Sequence, residues 1–471
     1  MVWFSHPCLP QFSRPTFSES NRSVAIARPQ SLAVPGLIRQ STDTIDKSSY
    51  FKEATRSKGE AKASPAPISN DGKKYCPWTP IKLRPVPAFY PLERSSRFVE
   101  DDLETVVDRV AECNRLLSVH AVYCNKTATA TLLTSENVEM HLSLWKTVKE
   151  EGIVVEIQRR KGDSIAFHRY SRCILDSAAG ELDMKDHLEK NGDDIDAVFA
   201  RKVQRLVTLE KPSDVATSEA ENAIIAIEIA HGLVMKDRID ARQLGLESLC
   251  LLTDPKKTGH TTAVIASRVV LLGSVQDIDS DASPEEALLC DETPFQEIRQ
   301  ALLSLIQFRR IGDLDDVEED KDSEESEYIT VLHNLALAVL ANALDVIGDD
   351  DIDSVVSNPE EVPSGRGRLD TSESISERFL VDSLECSDNR EIMKTLISEL
   401  GKATLKPHNA CLSAKCIGSL CRASEKARKR AKELGAKNVV QTALEVGTKT
   451  HLKLERECSK VMSSLTETNT E

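Results

Sequence analysis

Residues 221–235 read ENAIIAIEIAHGLVM, and residues 331–346 read VLHNLALAVLANALDV. Ile224, Ile225, Ile227, Ile229 and Val234 leave no wide polar stripe around the first stretch at helical spacing, and the second is no more polar. A helix apolar on nearly every side has to be shielded all round, so both stretches predict helices packed inside an all-α assembly. Outward from them the pattern becomes one-sided. Ile392, Met393, Leu396, Ile397 and Leu400 form one stripe, and Leu454, Cys458, Val461, Met462 and Leu465 form another. Asp388 with Glu391 three residues on has the form of a capping box. Gly401 closes the helix that follows, and Gly435 closes another before Ala436.

The helices repeat. Residues 245–250 (GLESLC) echo residues 416–421 (CIGSLC), and residues 434–444 (LGAKNVVQTAL) resemble the Gly-Ala-hydrophobic opening of the last helix of an armadillo repeat. Units of roughly 40 to 47 residues, about five in all, start near Ala197, Asp237, Pro294, Phe379 and Glu425. Residues 197–465 thus resemble an α-solenoid of armadillo or HEAT type, an α-α superhelix without strands. The resemblance implies a concave surface that grips protein partners. Armadillo and HEAT geometry stay open as alternatives. Two low-complexity inserts interrupt the array and read as surface loops. One is the acidic run 313–327, with ten carboxylates, and the other is 348–374, acidic and then Ser/Gly-rich.

Before the array the period changes. Leu103, Val106, Val107, Val110 and Leu117 share one helical face. Four alternating runs follow, through Val119, Ala121 and Tyr123, through Ala128, Ala130 and Leu132, through Val138, Met140, Leu142 and Leu144, and through Ile153, Val155 and Ile157. Asn125-Lys126 and Ser135-Glu136 supply turns, which predicts an antiparallel meander with one apolar face. A last helix begins near Ser164 with Ala166, Tyr170, Cys173 and Ile174 on one side. The order α-β-β-β-β-α makes a complete small α+β domain. Its closing stretch, residues 155–161 (VEIQRRK) followed by residues 162–169 (GDSIAFHR), is similar to the kinase-associated 1 (KA1) fold. That family closes with a Glu/basic strand and then Gly-x-Ser-aliphatic-small-Phe-basic. The match covers residues 101–179, within a domain spanning 96–180. No kinase domain precedes it, the last strand-to-helix connection is short, and His168 stands where Lys or Arg is usual. The resemblance implies that Arg159, Arg160, Lys161, Arg169 and Arg172 meet anionic phospholipid headgroups, or that the domain binds a kinase in trans. The plainer reading of those cations is a solvated strand edge that blunts pairing.

Residues 1–95 are rich in Ser, Pro and Arg without sustained period and read as a disordered tail and linker. Trp78, Phe89 and Tyr90 near its end either dock onto a neighbouring domain, form a peptide ligand, or sit in an aromatic-containing linker, and composition favours the linker. Arg14, Arg22, Arg28 and Arg39 face only Glu19 before residue 40, the charge pattern of an organelle transit peptide. Five prolines in the same stretch argue against the amphipathic helix such a peptide needs, which leaves the cytoplasm as the expected location.

The bulk numbers bound the function. Formal net charge is −16 and aromatics are 4% of residues, which suits Leu/Ile/Val/Ala helical contacts. The charge is uneven, since residues 402–460 carry fourteen Lys/Arg against five Glu. Twelve irregularly spaced cysteines read as small buried hydrophobes in a reducing compartment. Cys411, Cys416 and Cys421 step by about 500° of helix and point apart, and no CxxC suggests zinc. No run of eighteen apolar residues occurs, which is read as excluding a transmembrane helix. Walker A, GxGxxG, HExxH and GxSxG are absent, and no cofactor or enzymatic activity is expected. His231 among isoleucines reads as a hydrogen-bonded core residue. Lys426, Arg428, Lys429, Arg430 and Lys432 form a second basic cluster, either a solvated helix face or a patch for an acidic partner, including the acidic insert of this chain. Nucleic acid is not expected for an acidic chain without interleaved aromatics. These readings together predict a non-enzymatic scaffold or adaptor, with a membrane-associated regulator as the alternative.

Overall fold

The computed structural model describes residues 77–87, 89, 95–147, 152–191, 216–275, 293–307, 324–356, 375–385 and 391–466. The tail before residue 77 with its transit reading, Tyr90, the unit start at Ala197, residues 313–323, residues 357–374 and Asp388 lie outside them.

The small domain is built as its periodicity requires. Strands β3 (His120–Cys124), β4 (Thr129–Leu133), β5 (Glu139–Lys146) and β6 (Ile153–Lys161) form a consecutive antiparallel meander. Register places Ala130, Leu132, Met140, Leu142, Leu144, Val155 and Ile157 on one face, where all are buried. Helices α1 (Leu103–Leu116) and α2 (Ser164–Ala178) pack on one another and share this core, with Val106, Val110, Phe167 and Ile174 inside it. Each helix starts at an aspartate. Asp102 accepts the Thr105 N–H at 3.0 Å and Asp163 accepts the Ala166 N–H at 2.7 Å, filling donors that the first turn leaves open.

The sheet has two strands more than the sequence pattern suggests. Strand β2 (Ser96–Val99) pairs antiparallel with β6, and the two-residue β1 (Arg84–Pro85) pairs parallel with the end of β5. The sheet order is β2-β6-β5-β4-β3. Four and two residues are too few to show an alternation, so these strands exist through their neighbours. The segment before them is also more ordered than the tail-and-linker reading to residue 95 allows. Trp78 is buried and stacks on Tyr123 with ring centroids 5.1 Å apart, and Arg84 lies 5.1 Å from the Trp145 ring centroid. The docking alternative therefore holds for Trp78, because one indole brings more apolar area to the open end of a small core than any nearby linker residue. Phe89, by contrast, is fully exposed.

After helix α3 (Met184–Asn191), every described element is helical. They are α4 (Ala216–Val234), α5 (Ile239–Leu252), the single-turn α6 (Pro255–Thr258), α7 (His260–Leu272), α8 (Thr293–Gln307) and α9 (Glu324–Val356), then α10 (Ile375–Glu385), α11 (Ile392–Leu400), α12 (Pro407–Ala423), α13 (Glu425–Glu433), α14 (Ala436–Thr450) and α15 (Leu452–Thr466). One apolar core runs through them from Ile227 to Leu465. The 33-residue α9 is its spine, with α5, α7, α8 and α12 packed along it. Residues 331–346 are buried or half-buried throughout, as an apolar circumference demands. Tyr328–Gly348 is long and apolar enough to cross a membrane, with mean hydropathy 1.6, a property that a search for unbroken runs overlooks. Here the segment is the helix around which the others pack.

Several local expectations are corrected. The stretch 221–235 is helical but not shielded all round, since Ile225 and Ile229 are exposed. The acidic inserts are not loops at their array ends, because residues 324–327 and 348–356 continue the α9 backbone. Glu391, not Asp388, is the N-cap residue of α11, and its side chain makes no cap bond. It is held instead by Arg430, as described below. Phe379 falls inside α10 rather than at a unit start. The two echoing hexapeptides lie on α5 and α12, both of which flank α9, and their leucines, Leu249 and Leu420, are fully buried. Gly245 is required where α5 closes on α4. A Cβ there would lie 2.7 Å from Val234 Cγ2 and 2.8 Å from Val234 N.

Candidate functional site

The basic corner of the small domain sits where β6 ends and α2 begins. Arg159, Arg160 and Lys161 are all exposed, although Arg159 and Lys161 share the parity of the buried Val155 and Ile157, and Phe167 is in the core. The register between β5 and β6 slips here, since Glu139 pairs with Lys161 and Met140 with Arg159. Arg160 is thus the extra residue of a bulge, which re-aims side chains at a strand end. Arg159 bends back and donates to the Gly162 carbonyl at 2.7 Å. Gly162 has φ +98°, and a Cβ there would lie 2.7 Å from the Asn137 carbonyl oxygen.

The two helix arginines do not join this trio in one patch. Arg169 is paired with Glu136 on the β4–β5 turn at 2.8 Å, and the Tyr170 hydroxyl donates to the same carboxylate at 3.3 Å. Arg172 leans to Asp176 at 3.5 Å, an acid that also binds Arg97 of β2 at 2.8 Å. Glu136 and Arg97 lie on opposite sides of β6 in the sheet order, so Arg169 and Arg172 are drawn apart. The acids that offset the patch are also not those nearest in sequence. Glu156 is buried on the other face, accepting the Trp145 indole N–H at 3.1 Å, and Asp163 is occupied as the α2 cap.

The second basic cluster lies on α13 and is largely spent within the array. Arg430 makes a two-pronged pair with Glu391 at 2.6 and 2.7 Å and reaches Glu433 at 3.1 Å. These bonds, with Glu391 foremost, push its already high pKa further up. Lys426 pairs with Glu377 at 2.8 Å, and Arg428 donates twice to the Cys421 carbonyl. Only Lys429 and Lys432 of the five remain as exposed cations with no such tie among the described residues. Helix α13 therefore bolts α10, α11 and α12 together, a role visible only once residues 39 apart meet.

The remaining polar groups read as structure. His231 Nε2 lies 2.7 Å from Glu297 on α8. Burial raises the Cys250 and Cys421 thiols to about 11 and the Cys411, Cys416 and Cys458 thiols to about 12, so they stay protonated and unreactive. Among the described residues no group of three or more His, Cys, Asp or Glu is arranged to hold a metal ion.

A third surface escaped the sequence reading. Ile225 and Ile229 of α4 are 53% and 62% exposed, and Leu244 and Leu251 of α5 are each 53% exposed. The first pair is one helical turn apart and the second two turns apart, so each pair shares a face. An apolar circumference was legible on α4, but which arc its neighbours leave open was not. No protein-family model, curated protein or solved structure matches this chain.

Proposed function

We propose that this chain is a non-enzymatic scaffold, in which an armadillo/HEAT-type array presents an apolar face to a protein partner and carries a KA1-like domain at its N-terminal side. The observation that carries the reading is the set of four large aliphatic side chains left open on α4 and α5. Paired surface aliphatics on neighbouring helices mark interaction surfaces, and they cost solubility unless something covers them. The pairing of helices around one continuous core supports the array assignment. The experiment is affinity purification from native extract with wild type and with the exposed-face variant Ile225→Glu/Leu251→Glu. A partner set present with wild type and lost with the variant, at unchanged melting temperature, supports the scaffold. Identical partner sets sink the face as a binding surface.

A second reading, a membrane-associated regulator, is favoured by one observation, the exposure of Arg159, Arg160 and Lys161 at a single strand end. Each cation near an anionic leaflet contributes about 1 kcal/mol, so three support weak, salt-sensitive association. Vesicles with and without phosphatidylserine, tested on wild type and Arg159→Glu/Arg160→Glu, decide it. Equal retention of both proteins leaves the corner a solvated edge.

A further inference from the structure

The small domain and the array meet through a chain of histidines. His408 lies in the first turn of α12, His451 joins α14 to α15, and His120 opens β3. The His408 and His451 rings stand edge to face with centroids 5.0 Å apart. The Leu454 N–H donates to His451 Nδ1 at 3.1 Å, His451 Nε2 lies 3.1 Å from His408 Nδ1, and His408 Nε2 lies 3.0 Å from the Leu133 carbonyl on β4. The two ends dictate the proton positions. A carbonyl only accepts, so His408 carries its proton on Nε2 and offers Nδ1 as acceptor. A backbone N–H only donates, so His451 Nδ1 is bare and its Nε2–H is the donor to His408. All four ring nitrogens are used, and both imidazoles are neutral. A second proton on either ring has to enter at a nitrogen that already receives an N–H, which sets two donors against each other.

We propose that this relay is an acid-released latch, holding the small domain against the array while both histidines are neutral and opening the junction when they take up protons. The titratable groups that face the rings oppose a further positive charge, while the hydrogen bond from His408 to the Leu133 carbonyl pulls the other way without offsetting burial. His120 approaches from β3 and Lys453 from α15, while the nearby acid, Glu455, is engaged by Arg115 of α1 at 3.2 Å, and Arg115 in turn holds Glu112. Burial above all, with His120 and Lys453 adding to it, lowers His408 to about 4. Burial, then His408 and Lys453, lowers His451 to about 2. Burial lowers His120 as well. The direction follows from linkage. A histidine lowered in the closed state binds its proton better once released, so closure is at full strength above the ordinary value near 6.5 and weakens as pH falls below it. Each histidine that regains its ordinary value on release favours opening by up to tenfold per pH unit, or about 30-fold at pH 5. Among the described residues the other ties across the junction include the Arg115–Glu455 pair, the Lys453 N–H to Ser118 Oγ bond at 2.9 Å, Leu452 packed on the small domain's core, and the contact of α14 with α1.

The test is hydrogen–deuterium exchange on the full chain at pH 7.5 and 5.5, corrected for intrinsic exchange, with the β5 peptide as internal reference. The expected result is at least a tenfold loss of protection in the peptides spanning 115–120 and 451–456, with β5 unchanged. The double variant His408→Gln/His451→Gln keeps a donor and an acceptor at each position but cannot take a proton there, so its junction protection should change with pH far less than the wild type's, with His120 the one lowered histidine left. Wild-type junction protection that tracks β5, or a variant that loses protection as the wild type does, overturns the latch. Ring NMR of the ¹³C-histidine-labelled wild type is a second readout that does not depend on how the variant folds. His408 and His451 should be neutral Nε2–H tautomers at pH 7.5 and titrate only as the junction signals change. Either ring titrating near 6.5 with those signals unmoved overturns the proposal.

Discussion

Replacing Gly447 by alanine tests the packing of the array where it is tightest. Gly447 is in the last turn of α14, and a Cβ there would lie 2.6 Å from Glu455 N, 2.9 Å from Glu455 Cα and 3.2 Å from Leu454 C. All three are backbone atoms of α15, which cannot rotate aside. Carbon contacts settle at about 3.5–4.0 Å, so α15 has to move by roughly 1 Å. That helix is anchored by the fully buried Leu454, Cys458 and Val461, which resist the shift. Overpacking of this kind costs about 1–3 kcal/mol, whereas alanine gains about 1 kcal/mol over glycine inside a helix. Overlap with backbone that cannot rotate aside puts the cost in the upper part of that range, about 2–3 kcal/mol, so a net loss of about 1–2 kcal/mol follows, a melting temperature lower by about 2–8 °C for an array of this size. Gly232 of α4 is the matched control, because a Cβ there meets nothing within 4 Å. Gly232→Ala keeps only the helical gain and should stabilise by about 0.5–1 kcal/mol. Calorimetry of the full chain reads both. Shifts of the same sign, or a Gly447→Ala protein as stable as wild type, refute the close approach of α14 and α15.

Three further outcomes are expected. Leu249→Asp or Leu420→Asp should unfold the neighbouring helices, since a carboxylate without a partner in a fully buried site costs several kcal/mol or forces protonation; an unchanged melt places those leucines at the surface. Trp78→Ala should cost about 3–5 kcal/mol of small-domain stability despite lying before the first strand, and a denaturation midpoint like that of wild type shows the indole is not part of the core. Glu391→Ala should loosen α13 by releasing Arg430, read as faster trypsin cleavage at Lys429 and Lys432; an unchanged rate means that the helix is held by its apolar side alone.

The parts of the fold that could be read in advance are those whose signal is local. Met140, Leu142 and Leu144 alternate with polar residues because successive strand side chains point to opposite faces, and the same rule assigned Val155 and Ile157 to the core. The stripe of Ile392, Met393, Leu396, Ile397 and Leu400 is buried as its helical spacing requires. Strands β1 and β2 were not legible, because two and four residues carry no period. The basic sites were legible only as composition. Five cations near β6 and α2 look like one patch in the chain, but Glu136 and Asp176 draw Arg169 and Arg172 apart. Five more on α13 look like a docking face, but Glu391, Glu377 and the Cys421 carbonyl occupy three of them.

By itself the sequence determined that an α+β meander precedes a helical array, and which face is apolar in the meander, its two helices and the stripes at 392–400 and 454–465. Periodicity is a property of neighbours along the chain, and backbone geometry converts it directly into a buried side. Tertiary structure alone decided which of those sides remain open, as at Ile225 and Leu244, and which polar groups meet, as at Trp78 with Tyr123, Arg430 with Glu391, and His408 with His451. Those partners stand from 39 to 45 residues apart, and the relay ends on Leu133, 275 residues from His408. A hydrogen bond depends on the distance and direction between two atoms, and only the folded packing of helices and sheet sets those.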